Sequence, residues 1–130
     1  MNKVMEAKKM ARKIEEHFFT KENKLNASYW YAFQKVANLK EYRNEFTDKS
    51  ITKIKTMLNK LGIVYEVGKR KYGNATKWWI ELEVCEYNKL KHFNEEYHKY
   101  KKFAKEINLG HKYTDDIIID YIADGIYCNV

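Results

Sequence analysis

Proline is absent from this sequence, and glycine occurs only five times. A flexible linker needs a glycine- or proline-rich stretch, so none is expected. Cysteine is almost as scarce: Cys85 and Cys128 are too few for a disulfide framework, which indicates a reducing compartment. No apolar run approaches the roughly 20 residues that span a bilayer, and charges interrupt the first eighteen residues every few positions. We therefore expect a cytoplasmic protein without a signal sequence.

Positive charge is concentrated in the first two-thirds of the chain. Residues 1–84 contain 18 Lys and Arg against 10 Asp and Glu, a net charge of +8, whereas residues 85–130 have a net charge of −1. A local basic excess attracts polyanions and accelerates their encounter. An AT-rich genome would also enrich a chain in lysine, so composition alone leaves both explanations open. The asymmetry favours a nucleic-acid partner.

Apolar residues that recur every three or four positions predict three helices in the first half of the chain. The second helix begins at Asn26 or Ser28. The third is capped by Thr47 or Asp48 and ends at Gly62. The residues on its predicted buried face are Ile51, Ile54, Leu58 and Leu61.

Beyond Gly62 the apolar period changes to two, which predicts two strands joined at a loop that contains Gly73 and Asn74. The tip of this hairpin carries three consecutive basic residues, 69–71. Trp78 and Trp79 point to opposite faces of the second strand. We expect one of them in the core. The other either packs beneath the C-terminal helix, the alternative that we favour, or is exposed for a partner.

A helical period returns after Cys85 and continues to about residue 107. Its apolar seam is narrow, which is typical either of a coiled-coil dimer or of a helix laid across its own domain. Both alternatives stay open, and we expect a homodimer. The candidate interface residues are Leu90, Phe93, Tyr97, Tyr100, Ala104 and Ile107. A last short helix, 117–123, is predicted between Thr114 and Gly125.

Three features together resemble the winged-helix superfamily of bacterial DNA-binding domains: the periodic core of the third helix, the turn Leu61-Gly62-Ile63, and the hairpin with its basic tip. The segment 74–79 also looks like the returning strand of plasmid replication initiators and phage regulators of low-GC Gram-positive bacteria. The resemblance implies a mostly helical α+β fold. Residues 1–84 would form a winged helix-turn-helix of three helices and a β-hairpin wing, and residues 85–130 a C-terminal helical extension for dimerisation or interaction.

This resemblance implies that the third helix (about 48–61) enters the major groove of double-stranded DNA and that the wing (68–77) contacts the adjacent minor groove or backbone. The implied DNA-binding residues are Ser50, Lys53, Lys55, Thr56, Asn59, Lys69, Arg70, Lys71, Tyr72 and Lys77. Lysines predominate on the helix, so the residues favour backbone binding over base reading. Tyr72 could stack on a sugar or base, or cover the hairpin.

The expected function is that of a transcriptional regulator or a replication or partition factor of a plasmid or phage. The alternative is a protein-interaction module, encoded by a phage or plasmid, that inhibits a host nucleic-acid machine through its aromatic C-terminal third. We expect no enzyme, cofactor or metal. The spacing Glu95-x-x-His98 resembles half of a di-iron motif but occurs once, and Asp115 and Asp116 fit the N-terminus of a helix.

Overall fold

The computed structural model describes residues 3–39, 43–107 and 114–125. Over these residues the chain forms five helices and one three-stranded antiparallel sheet, which confirms the predicted, mostly helical α+β class. The elements in chain order are α1 (Lys3–Phe18), α2 (Ala27–Ala37), β1 (Arg43–Thr47), α3 (Asp48–Lys60), β2 (Tyr65–Tyr72), β3 (Ala75–Leu82), α4 (Val84–Ile107) and α5 (Asp115–Asp124).

The chain divides into two compact units. We call Ala27–Asn88 the sheet unit, and Met1–Asn26 together with Lys89–Val130 the helical unit. This partition differs from the division between residues 84 and 85 that the sequence suggested. The difference arises because α1 packs against α5, from the opposite end of the sequence, instead of joining α2 and α3.

The helical unit buries the predicted apolar face of α1 against α5. Ile14 of α1 and Ile118 and Ile119 of α5 have no exposed surface. α4 contacts α5 through Tyr100 and Tyr121, whose ring centroids are 5.4 Å apart. α5 follows Thr114 and ends at Gly125, as predicted.

In the sheet unit, α2 packs against α3, and α3 contacts β1 and β3. The strand order is β1-β3-β2, so β3 is central and pairs antiparallel with both neighbours. Ile80 and Leu82 of β3 are almost completely buried. Trp78 and Trp79 lie on opposite faces as predicted, but both are half-buried, so neither is a fully buried core residue.

The strand β1 was not predicted from the sequence, because an alternating apolar pattern marks strands only after the third helix. Arg43–Thr47 instead pairs with β3, with Phe46 opposite Trp78 and Glu45 opposite Trp79. The segment has a single large apolar residue, so no alternating pattern marks it as a strand. Its conformation depends on hydrogen bonds to residues of β3 that lie 30 to 38 positions later in the chain.

The predicted ends of α3 are confirmed. Thr47 occupies the N-cap position with extended backbone angles, and Asp48 lies in the first turn, where the helix dipole favours negative charge. Gly62, just beyond the C-cap residue Leu61, has a φ of +68°, a left-handed conformation that glycine adopts without steric cost. The helix therefore stops where the chain must turn toward β2.

Candidate nucleic-acid interface

α3 presents a polar surface on the side away from its core. Ile51, Ile54 and Leu58 are buried, together with Met57. Each of the five α3 residues predicted to bind DNA lies outside this buried set. The exposed residues are Lys53, Thr56 and Asn59, and the half-buried residues are Ser50 and Lys55.

Lys55 of α3 and Lys69 of β2 converge on the indole ring of Trp78. Their Nζ atoms lie 5.9 Å and 5.8 Å from the ring centroid, within the range of cation–π attraction. The indole Nε1 of Trp78 also donates a hydrogen bond to Asp48 in the first turn of α3. Trp78 thus joins the helix to the hairpin, and two ammonium groups from separate elements meet beside one aromatic ring.

The strand register explains why Lys69 lies at this place. Lys69 and Trp78 are direct partners in the β2–β3 pairing, and Phe46 of β1 is the partner of Trp78 on its other side. Directly paired residues share a face of an antiparallel sheet. Lys71, two residues after Lys69, lies on this same face opposite Thr76.

The remaining predicted hairpin residues lie on the opposite face of the sheet. Tyr72, 45% exposed, donates a hydrogen bond to Glu45 Oε1 at 3.0 Å and accepts one from Arg70 Nη1 at 3.5 Å. The Nζ atom of Lys77 is 5.8 Å from the Tyr72 ring centroid. The hydrogen bond to Tyr72 raises the pKa of Arg70 above its ordinary value. Tyr72 thus contacts two cations and one carboxylate of its own chain.

Thr56 and Asn59, two uncharged residues of the α3 surface, make local hydrogen bonds. Thr56 Oγ1 donates to the carbonyl oxygen of Thr52 at 2.9 Å. The amide oxygen of Asn59 accepts a hydrogen bond from the Tyr65 hydroxyl at 3.0 Å. Asn59 therefore keeps its two amide N–H donors for another acceptor, and the Thr56 oxygen can still accept.

Ser50 lies on the flank of α3 that faces α2. Its Oγ accepts a hydrogen bond from Lys35 Nζ at 3.2 Å and another from the Thr47 hydroxyl at 3.3 Å. No sequence pattern connected Lys35 with this site, because the contact depends on how α2 packs against α3.

Trp78 was also missed as a site residue. The signal was present, because counting residues outward along both strands from the turn at Gly73 and Asn74 pairs Trp78 with Lys69.

The candidate dimer-interface residues are buried within the single chain. Leu90, Phe93, Tyr97, Tyr100 and Ala104 have exposed fractions of 7% or less, and the side chain of Ile107 lies outside the described residues. Burial raises the pKa of Tyr97, whose hydroxyl also donates to Asp115. A second copy could reach this face only if those side chains left their present packing. The homodimer stays a prediction.

Net charge does not distinguish the two units. Residues 27–88 contain 11 Lys and Arg against 7 Asp and Glu, a net charge of +4, and the rest of the chain contains 14 against 11, a net charge of +3. The positive charge is concentrated in the first two-thirds of the sequence, but it is divided almost equally between the two units. What the sheet unit offers is an arrangement of lysines around α3.

The described residues contain neither a membrane-spanning helix nor a cluster of metal ligands. Within residues 3–39, 43–107 and 114–125, no helix is both long and apolar enough to cross a membrane, and no group of three or more His, Cys, Asp and Glu residues could hold a metal ion. No protein-family model, curated protein or solved structure matches this chain, so its function is inferred from the geometry above.

Proposed function

We propose that this protein binds double-stranded DNA with α3 and the β2–β3 hairpin of the sheet unit. The observation that carries the proposal is the convergence of Lys55 and Lys69 on Trp78. The two ammonium groups, one from a helix and one from a hairpin, give these elements a shared basic surface, in which the Asp48 carboxylate is the acidic neighbour. Such a surface neutralises phosphates along a backbone, whichever bases lie beneath it.

The lysines lie along both flanks of α3. Lys53 is on the flank facing α2, where it lines a groove with Lys35, and Lys55 is on the flank facing the sheet. Thr56 and Asn59 lie between these flanks, since successive residues turn by about 100° around a helix. A helix about 10–12 Å wide fits a major groove about 12 Å wide. In that position the flanking lysines face the two backbones and the uncharged residues face the base edges.

The proposed fold of the sheet unit is a winged-helix variant with two complete helices, α2 and α3, because α1 belongs to the helical unit. In it α3 is the recognition helix and the β2–β3 hairpin is the wing. The hairpin follows α3 directly, and β1 completes a three-stranded sheet beside it. On this proposal the protein is a cytoplasmic transcriptional regulator or a replication or partition factor of a plasmid or phage. A homodimer on a twofold-symmetric site would use a surface other than the buried face of α4.

The hairpin offers a matched pair of variants to test this proposal. Lys69 and Arg70 are consecutive exposed residues, but only Lys69 faces the α3 side of the sheet. The affinity for a fluorescently labelled duplex of mixed sequence is measured over a series of salt concentrations. We expect Lys69→Gln to lower the salt slope by about 0.9, the value for one lost phosphate contact. Arg70→Gln, which removes the same charge, should change it much less.

Selection of bound fragments from random duplex DNA then shows which bases are read and whether the site is symmetric. Wild-type protein that shows no salt-dependent binding would overturn the proposal and would favour the protein-interaction alternative. An equal decrease of the salt slope in Lys69→Gln and Arg70→Gln would show that DNA contacts both faces of the hairpin. It would refute the assignment of the DNA to the α3 side of the sheet.

A further inference from the structure

A basic groove of about 140 Å³ lies between α2 and α3 in the sheet unit. Three lysines line it: Lys35 from α2 and Lys49 and Lys53 from α3. Among the described residues that line the groove, none is acidic. Three ammonium groups around one small concave space, without a carboxylate to balance them, favour an anion there.

Ser50 lies in the same groove, and its hydroxyl hydrogen is available to donate. Its oxygen already accepts from Lys35 at 3.2 Å and from Thr47 at 3.3 Å. A hydroxyl has two acceptor lone pairs and one donor hydrogen, so these two bonds use both lone pairs. The Ser50 hydrogen is left to donate to another acceptor, and a phosphate oxygen is a strong acceptor.

Lys35 is held in place before any ligand arrives. Its Nζ lies 4.8 Å from the centroid of the Tyr31 ring while it donates to Ser50. A lysine that is already oriented loses less side-chain entropy when it binds an anion. Tyr31 is 64% exposed at the rim of the groove, so its ring is accessible to a sugar or base next to a bound phosphate.

We propose that the α2–α3 groove binds one backbone phosphate of the DNA that lies along α3. Lys35, Lys49 and Lys53 neutralise the phosphate, and the Ser50 hydroxyl donates to one of its oxygens. This inference rests on the proposed DNA binding and adds α2 to it. The groove lies on the flank of α3 opposite Lys55. It therefore holds one strand of the DNA duplex, while Lys55 and Lys69 beside Trp78 contact the other.

The test compares Lys35→Gln, Ser50→Ala and a control, Lys102→Gln, on a labelled duplex of mixed sequence. Lys102 is an exposed lysine of α4 in the helical unit, so its replacement removes the same charge elsewhere. We expect Lys35→Gln to lower the salt slope by about 0.9. Ser50→Ala should weaken binding at every salt concentration without changing the slope, because it removes a donor but no charge. Lys102→Gln should match the wild type.

The outcomes separate this inference from the proposal beneath it. If the wild type binds DNA and Lys35→Gln has the same salt slope as the wild type, the groove site is wrong. The proposed DNA binding through Lys69 would not be affected by that result. Absence of salt-dependent binding in the wild type would overturn both. Lys35 is half-buried, so circular dichroism checks the fold of its variant. If that variant unfolds, Lys49→Gln at the exposed edge of the same groove is measured instead, with the same expected change of slope and the same contrary result.

Discussion

The indole ring of Trp79 lies directly against the Cα atom of Gly68, its partner in the pairing of β2 with β3. A side-chain carbon at position 68 would collide with the ring, whose contacting atoms belong to both of its fused cycles. Glycine is required here by the space that the neighbouring tryptophan occupies. The pair lies on the face of the sheet that also carries Tyr72.

Gly68→Ala is expected to lower the free energy of unfolding by about 1–3 kcal/mol, the usual cost of forcing extra atoms into a packed site. Chemical denaturation of the full chain measures it. The same substitution in a Trp79→Ala background removes the collision, so its cost there should fall close to zero. An equal cost in both backgrounds would show that the backbone at position 68, and not the indole ring, makes glycine necessary.

The fluorescence of Trp78 should report DNA binding. Its ring lies beside the ammonium groups of Lys55 and Lys69, and phosphates that attract those groups would alter its surroundings. We expect the change in intrinsic fluorescence on adding duplex DNA to be largely lost in Trp78→Phe. Trp79→Phe is the matched control, because Trp79 lies on the other face of the same strand, and it should keep most of the change. The reverse pattern would place the DNA on the Tyr72 face.

Glu15 is expected to make the stability of the helical unit depend on pH. Partial burial, and then a hydrogen bond to Asp120 and the negative charges of Asp120 and Asp124, raise its pKa from 4.5 to about 7, against the opposing effect of Arg12. The folded state therefore retains a proton that the unfolded state has lost between these two values. Stability should fall as pH rises from 4.5 toward 7 and level off above it.

Glu15→Gln should remove this dependence, because glutamine keeps a neutral hydrogen-bond donor next to Asp120. Above the raised pKa, the variant should be more stable than the wild type by about 1 kcal/mol, a modest figure because solvent screens a side chain that is only partly buried. Thermal unfolding across a pH series measures both curves. Parallel curves for the two proteins would rule out Glu15 as the titrating group.

The two ends of α3 could be predicted from local chemistry. Thr47 and Gly62 delimit α3 through backbone preferences that operate within a few residues. The turn at Gly73 and Asn74 fixed the hairpin in the same way. These signals depend on residues that are close in sequence, so they can be recognised without a structure.

The sequence named residues of α3 and of the hairpin for the candidate site, but it did not show that the hairpin residues divide between two faces of the sheet. Lys69 and Arg70 were expected to act together as one basic tip, yet consecutive strand residues point to opposite sides. Lys35 and Lys49 carried no signal at all, because their grouping with Ser50 arises only when α2 packs against α3.

The sequence by itself determined where α3 begins and ends, and that a hairpin with a basic tip follows it. Only the tertiary structure decided that β1 joins the sheet, that α1 packs with α5, and that Lys55 and Lys69 meet at Trp78. The physical reason is the separation along the chain over which each interaction acts. Caps, turns and apolar periods act over a few residues, whereas strand pairing and helix packing join residues far apart in the chain, whose partners are set by shape and burial in three dimensions.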